Sequence, residues 1–254
     1  MDFTDPRTRS VFYEVHSDQP RAGPGDRSST KHAFSLASPF LPNARALDIG
    51  CGPGMQTVHL AELMPSSNIT AIDSQESMVL EARKLVEAQG HAARVQIDVC
   101  DMANIPYPSN KFDLIWCEGA AYIMGIERAL SDWKRLLSPR GKIAITEVVW
   151  LKPDPPKALK DFWTQYPDMN NIENRLALFE RCGYRMLGDF VLPESAWWKH
   201  YYDPMTDRLD SLRVKYSGDA VAESVISACY DEIDLYRRFS DYYGYTFFVA
   251  EKVS

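Results

Sequence analysis

The stretch Ala46 to Thr57 reads ALDIGCGPGMQT and places an acid, Asp48, two residues ahead of the first of three glycines, Gly50, Gly52 and Gly54. A glycine-rich turn between a strand and a helix lets backbone approach a ligand closely and offers it the first N–H groups of the helix. The surrounding residues narrow the ligand. A dinucleotide fingerprint, G-x-G-x-x-G, needs a third glycine where this chain has Met55, because that glycine lets helix and strand pack tightly around a pyrophosphate. Asp48 would also repel a pyrophosphate, whereas a carboxylate there suits a ligand with an ammonium group, met directly or through water.

The following acids extend this pattern. About twenty residues on, Asp73 closes a second apolar run, where a carboxylate can accept both hydroxyls of a ribose. The third run ends at Asp98, and nearby Asp101 and Met102 offer a carboxylate for an exocyclic amine and an apolar face for a purine. A nucleoside bearing an ammonium group fits the whole set, and S-adenosylmethionine is one. Cys51, inside the turn, and Ser74, beside Asp73, join the expected cofactor-binding residues. Candidates for taking a proton are Glu118 and Glu147, at the carboxyl ends of the fourth and fifth apolar runs, with His16 and His200 from flanking segments.

These residues need a frame. From Ala44 to Trp150 the runs ARALDIG, NITAID, ARVQID, FDLIWCE and KIAITEVVW alternate with helical or loop segments, which predicts a parallel sheet with helices on both faces. Val58, Ala61 and Met64 recur at helical spacing before Pro65. Met78, Ala82, Leu85 and Val86 do the same, with Ser74 expected as N-cap and Gly90 just past the end. Ahead of this core, QPRAGPGDRSSTKHAF reads as a loop, with Ser28 or Ser29 capping the next helix. After it, LKPDPPKALKDFWTQYPDM is Pro-rich, Ile172, Leu176 and Phe179 form a helical stripe ending at Gly183, and YRMLGDFVLP and YTFFVAEKV are strands. The long aromatic connection between those strands is read as a helical cap. The expected division is a 1–33 arm able to act as a lid, a 34–151 cofactor-binding core, a 152–192 Pro-rich connection completing the core, a 193–242 cap and a 243–254 last strand.

The motifs LDIGCGPG, AIDSQESMV, VCDMANIPYPSNKFDLIWCEGAAYIM and LLSPRGKIAITEV resemble, in order and spacing, those of class I S-adenosylmethionine-dependent methyltransferases. The resemblance runs from about Phe34 to Leu151 and resumes at the final strand pair. It implies a Rossmann-like, seven-stranded α/β sheet, mostly parallel with an antiparallel last strand. It further implies that Asp48 and the glycine turn hold the methionine part, that Asp73 binds ribose, that Asp101 and Met102 flank adenine, and that Glu118 lies beside the transferable methyl. QPRAGPG, WCEGAAY, DFW and the late Gly-Tyr strand entry resemble small bacterial methyltransferases with no assigned acceptor, which implies a small-molecule acceptor.

The remaining residues bear on that acceptor. Trp150, Trp163, Tyr166, Trp197, Trp198, Tyr201 and Tyr202 lie where the chain leaves and re-enters the sheet, and aromatic walls suit an apolar or cationic small molecule, although half of them should form the cap's own core. Tyr13, His16 and Arg21 from the arm, Tyr122 after the fourth strand and His200 are expected to complete the pocket. A net charge of −7 without a Lys/Arg run argues against nucleic acid. Five scattered cysteines without a C-x-x-C pair argue for reduced thiols, and no metal is expected. With no long apolar run, the reading is a cytoplasmic methyltransferase, monomer or homodimer, without membrane partners, acting on an O, N or S atom of a small metabolite. An NAD-dependent oxidoreductase and a non-catalytic nucleoside-binding protein are the alternatives.

Overall fold

The computed structural model describes residues 4–166 and 168–253. The first three residues of the expected arm, Pro167 of the Pro-rich connection and Ser254 of the terminal segment lie outside the described residues.

Five strands, β1 (Arg45–Ile49), β2 (Asn68–Asp73), β3 (Val95–Val99), β4 (Phe112–Glu118) and β5 (Leu137–Trp150), run parallel. Between them lie helices α3 (Met55–Leu63), α4 (Glu76–Ala88) and α5 (Ile126–Trp133). The sheet order is β3-β2-β1-β4-β5-β8-β7, with β7 (Tyr184–Val191) at the edge and β8 (Tyr243–Lys252) inserted antiparallel between β7 and β5. This is the seven-strand path expected, with one addition. A two-residue strand, β6 (Asn170–Asn171), pairs with the end of β5 beyond the last β4 partner. The chain reverses its direction of spread between β1 and β4, and in such sheets the crevice at the carboxyl ends of these strands is where ligands bind.

Apolar burial on both faces explains the unbroken hydrophobic runs of β1 and β4. One face packs against α2 (Arg27–Ala37), α3 and α4 through Ala33, Ala37, Leu60, Val79 and Ala82. The other packs against α5 and α7 (Ile172–Arg181), where Ile126, Ala129, Leu130 and Trp133 present one helical stripe and Phe179 stacks on Phe248. Helix α1 (Pro6–His16) belongs to a third cluster with the cap, formed by α8 (Ser195–Trp197), a π-helical turn over 198–202, α9 (Asp203–Lys215) and α10 (Ala220–Phe239). The elements of the Pro-rich connection begin with a short helix, α6 (Lys157–Phe162).

Two expected caps are corrected. Helix α2 is capped by Asp26, whose carboxylate accepts from Ser29 N at 2.7 Å, so the serines are donors and the acid ahead of them is the cap. Helix α4 starts after Gln75 without a side-chain cap, because Asp73 already accepts Gln75 N at 2.9 Å and leaves Ser74 exposed.

The turn into α3 has no spare room. Gly54 has φ +93°, and a Cβ there would lie 2.9 Å from Ala82 Cβ and 3.0 Å from Ala82 Cα on α4. Gly54→Ala should therefore cost about 2–4 kcal/mol, combining left-handed strain with overpacking. Urea unfolding checks this through a lowered midpoint at unchanged slope.

Candidate active site

The glycine turn is fastened to β2 by two bonds from Gly50 N and Cys51 N to Ile72 O, at 2.8 and 3.0 Å. Asp73, at the end of β2, accepts Gly52 N at 2.9 Å on one oxygen and Gln75 N at 2.9 Å on the other. Each carboxylate oxygen keeps a lone pair for a ligand, and the carboxylate lines a cavity that opens here. Burial raises its pKa against these backbone donors. Met102 lines the same end, its methyl 3.8 Å from where a Gly50 Cβ would stand.

The arm crosses directly over the turn, with Ala22 Cβ 3.4 Å from the Cβ position of Gly52. Its Arg21 is only 3% exposed, and Nη2 donates to Glu118 at the end of β4. Glu118 also accepts Thr30 Oγ1 at 3.1 Å and Trp116 Nε1 at 2.8 Å. Three donors, one of them a guanidinium, engage the lone pairs of this carboxylate. Glu118 is thus a holder of Arg21 more than a base. Arg21 lines the cavity, and its buried Nη1 has no hydrogen-bond partner among the described residues.

The cavity has a volume of about 520 Å³, within the range of small-molecule sites. Its far wall is aromatic: Phe12 and Tyr13 from α1, Tyr122 after β4, Trp163 and Tyr166 after α6, Tyr201 from the π-helical turn and Tyr245 from β8. Among these rings stand two groups able to take a proton. His16 is buried, and Nδ1 lies 2.8 Å from the carbonyl of Phe12, which only accepts, so Nδ1 carries the proton and Nε2 keeps its lone pair. Burial lowers its pKa and keeps the ring neutral. The second is Glu232 on α10, whose carboxylate accepts the Tyr202 hydroxyl at 3.0 Å. Burial raises its pKa.

Of the residues expected from sequence, the cavity brings together Tyr13, His16, Arg21, Gly50, Cys51, Gly52, Asp73, Ser74, Met102, Glu118, Tyr122 and Tyr201. Others lie elsewhere. Asp48 sits fully buried behind the turn and accepts Thr57 Oγ1 at 2.5 Å, while burial pushes its carboxyl up to about 7. Gly54 faces α4. Asp101 is exposed, its oxygens taken by Ala103 N at 2.9 Å and Asn104 Nδ2 at 3.0 Å in a local turn, so it is not on the cavity wall. Trp197 stacks on Tyr236 at 4.1 Å inside the cap, Trp150 joins the same cluster, and His200 is not among the residues lining the cavity. Glu232, Tyr245 and Phe12 are among the cavity residues that sequence reasoning missed.

Glu147 lies behind the wall. It is 2% exposed, and Oε1 accepts the hydroxyl of the cavity-lining Tyr166, while Oε2 has no partner. Arg175 of α7 approaches the same hydroxyl at 3.4 Å. Burial pushes the Glu147 carboxyl up to about 7 against these two groups. Among the described residues, no group of three His, Cys, Asp or Glu side chains is arranged to hold a metal ion, and no helix is long and apolar enough to cross a membrane.

Residues 46–141, the stretch from β1 into β5 that carries the glycine turn and Asp73, match the family model described as a methyltransferase domain. Over this stretch the chain is similar to methyltransferases. Its likeness to a solved S-adenosylmethionine-dependent methyltransferase from Thiobacillus denitrificans, in complex with S-adenosylhomocysteine, covers 94% of this chain and 97% of that one at TM-score 0.80 and 23% identity. Among curated proteins, a ubiquinone/menaquinone biosynthesis C-methyltransferase of Geotalea daltonii is 32% identical over 124 residues, which is 48% of this chain and 52% of that protein. A malonyl-[acyl-carrier protein] O-methyltransferase of Legionella pneumophila is 27% identical over 173 residues, 68% of this chain and 55% of that protein. The chain thus spans about half the length of these curated relatives. They methylate carbon and oxygen respectively, and carbon is an acceptor atom that the sequence reading left out.

Two buried acids predict a pH effect. The folded state holds the Glu147 proton up to about 7, against 4.5 ordinarily, and the Asp48 proton up to about 7, against 3.8. Between those limits the folded chain binds more protons than the unfolded one, so stability falls as pH rises through the window and levels off above it. In Glu147→Gln, the loss of unfolding free energy between pH 5 and pH 8 should shrink by about 1–3 kcal/mol. Parallel denaturation at the two pH values checks it, and an unchanged difference would contradict it.

Proposed function

We propose that the protein transfers a methyl group from S-adenosylmethionine to a small molecule. The observation carrying this reading is one continuous cavity, with the glycine turn and Asp73 at one end and an aromatic wall holding His16 and Glu232 at the other. A donor and an acceptor would meet between the two ends.

The residues present suit the cofactor. Asp73, with a free lone pair on each oxygen, would accept the ribose hydroxyls, while Ile72, Met78 and Met102 offer an apolar slot for the purine. The unpartnered Arg21 Nη1 would meet the carboxylate of the methionine part, and Glu118 keeps that guanidinium in place. When bound, the cofactor supplies a methyl on a positively charged sulfur, already a good leaving group. The protein then has three tasks: alignment of the acceptor atom with that methyl, exclusion of water, and receipt of a proton where the acceptor carries one. The arm and cap supply walls of the cavity and so limit the access of water to it. His16 Nε2 is neutral and unprotonated, as a base at neutral pH must be. The acceptor atom is O, N or S in the reading favoured here, and the net charge of −7 argues against a nucleic acid carrying it.

Calorimetric titration with S-adenosylhomocysteine should give micromolar binding, with none for NAD. The opposite ranking would replace the methyltransferase reading with the oxidoreductase one. Asp73→Ala should weaken S-adenosylhomocysteine binding by about 2–3 kcal/mol, the scale of charge-assisted hydrogen bonds to two hydroxyls. Unaltered affinity in that variant, with its thermal midpoint read alongside, would remove Asp73 from the site.

A further inference from the structure

The acceptor end of the cavity has a sign. Its wall carries three carboxylates, Asp73, Glu118 and Glu232, and one guanidinium, Arg21, and no lysine lines it. Glu118 and Arg21 neutralise each other. S-adenosylmethionine, with an ammonium, a carboxylate and a sulfonium, brings one net positive charge, which offsets one of the two remaining acids. One negative charge is left over, and Glu232 is the acid at the acceptor end.

Glu232 is held as if for a partner that the protein does not supply. It lies on the apolar stripe of α10 formed by Val225, Cys229 and Tyr236, where the helical repeat calls for a hydrophobic residue. Only hydroxyls, those of Tyr202 and Tyr201, stabilise its charge, and no lysine or arginine is among the groups acting on it. The surrounding rings of Tyr122, Tyr201 and Tyr245 present π faces that attract cations.

Resting on the methyltransferase reading above, we propose that the acceptor is an amine entering as an ammonium ion, its charge set against the Glu232 carboxylate and its carbon skeleton against the rings of Tyr122, Tyr201 and Tyr245. An acceptor bearing a carboxylate or phosphate would find repulsion from Glu232 and no free cation, and a neutral alcohol would leave the carboxylate charge unmatched. The chemistry balances. The ammonium gives one N–H proton to a base on the wall, for which His16 Nε2 is the neutral nitrogen, and thereby gains a lone pair. That pair forms the new N–CH₃ bond while the S–CH₃ bond breaks and leaves its electrons on sulfur. The products are a methylated ammonium ion, S-adenosylhomocysteine and one proton, with total charge conserved.

The test is calorimetric titration of protein first saturated with S-adenosylhomocysteine, using three sets of matched probes: benzylamine, benzoate and benzyl alcohol; tyramine, 4-hydroxyphenylacetate and tyrosol; tryptamine, indole-3-acetate and tryptophol. The best-fitting amine should bind about tenfold or more tightly than its matched acid and alcohol, the scale of a hydrogen bond to a charged group. Glu232→Gln should abolish that preference with S-adenosylhomocysteine affinity unchanged, and Glu232→Asp should restore part of it. The proposal is overturned if an acid or alcohol binds as tightly as its amine, if the preference survives in Glu232→Gln, or if none of the amines binds. Failure of the first titration, S-adenosylhomocysteine on the wild type, would instead strike the methyltransferase reading and is seen before any amine is added.

Discussion

A guanidinium and a carboxylate taken out of water together each lose several kcal/mol of hydration, and they stay buried only where geometry and further hydrogen bonds restore it. The Arg21–Glu118 pair meets that condition through Thr30, Trp116 and the carbonyl of Gly23, and it fixes where the arm must lie. Breaking it by removing either partner would leave a bare charge in the core. The arm is therefore pinned to the end of β4, and the cap is pinned to the arm: Gly25 N donates to Ala196 O at 2.9 Å, Arg208 Nη2 to Ser17 Oγ at 2.8 Å, and Val11 and Val15 are fully buried. An arm so placed would move as a lid only at the expense of these contacts. Any opening of the cavity on this side carries α9 and α10 with it or parts the ion pair.

That dependence also explains how much was legible in the sequence. The parallel core was, because each of its strands is buried on both faces and reads as an apolar run, and because the turn and Asp73 sit at fixed short distances from strand ends. The donor end of the cavity follows from local geometry, so Gly50, Gly52, Asp73 and Met102 could be placed one by one. Asp101 lies off the cavity lining for a local reason: its oxygens accept two donors of its own turn. The side chains of the cap were less legible for a different reason. The π-helical turn over 198–202 inserts an extra residue into the helical repeat, which sends Trp197 into the cap interior, leaves His200 off the cavity lining and turns Tyr201 towards the cavity. No periodicity argument from sequence carries across such a shift. Glu232 did leave a trace, since an acid on the stripe of Val225, Cys229 and Tyr236 breaks a pattern that α10 otherwise keeps.

The two ends of the cavity come from different parts of the chain, and this bears on what relatives can say. The match to the methyltransferase domain spans residues 46–141, which includes the turn, Asp73, Met102 and Glu118. Phe12, His16 and Arg21 precede it, and Trp163, Tyr166, Tyr201, Glu232 and Tyr245 follow it. The donor half is thus built from what the family shares, while most of the acceptor half comes from the arm, the segment after α6 and the cap, which lie outside the match. Curated relatives that methylate carbon in one case and oxygen in another are what this division produces, because the shared half needs only to hold a methyl donor. On the reading proposed above, charge and shape in the half outside this match would decide the acceptor. There the deciding group is a carboxylate on the cap, placed among rings and given no cation of its own.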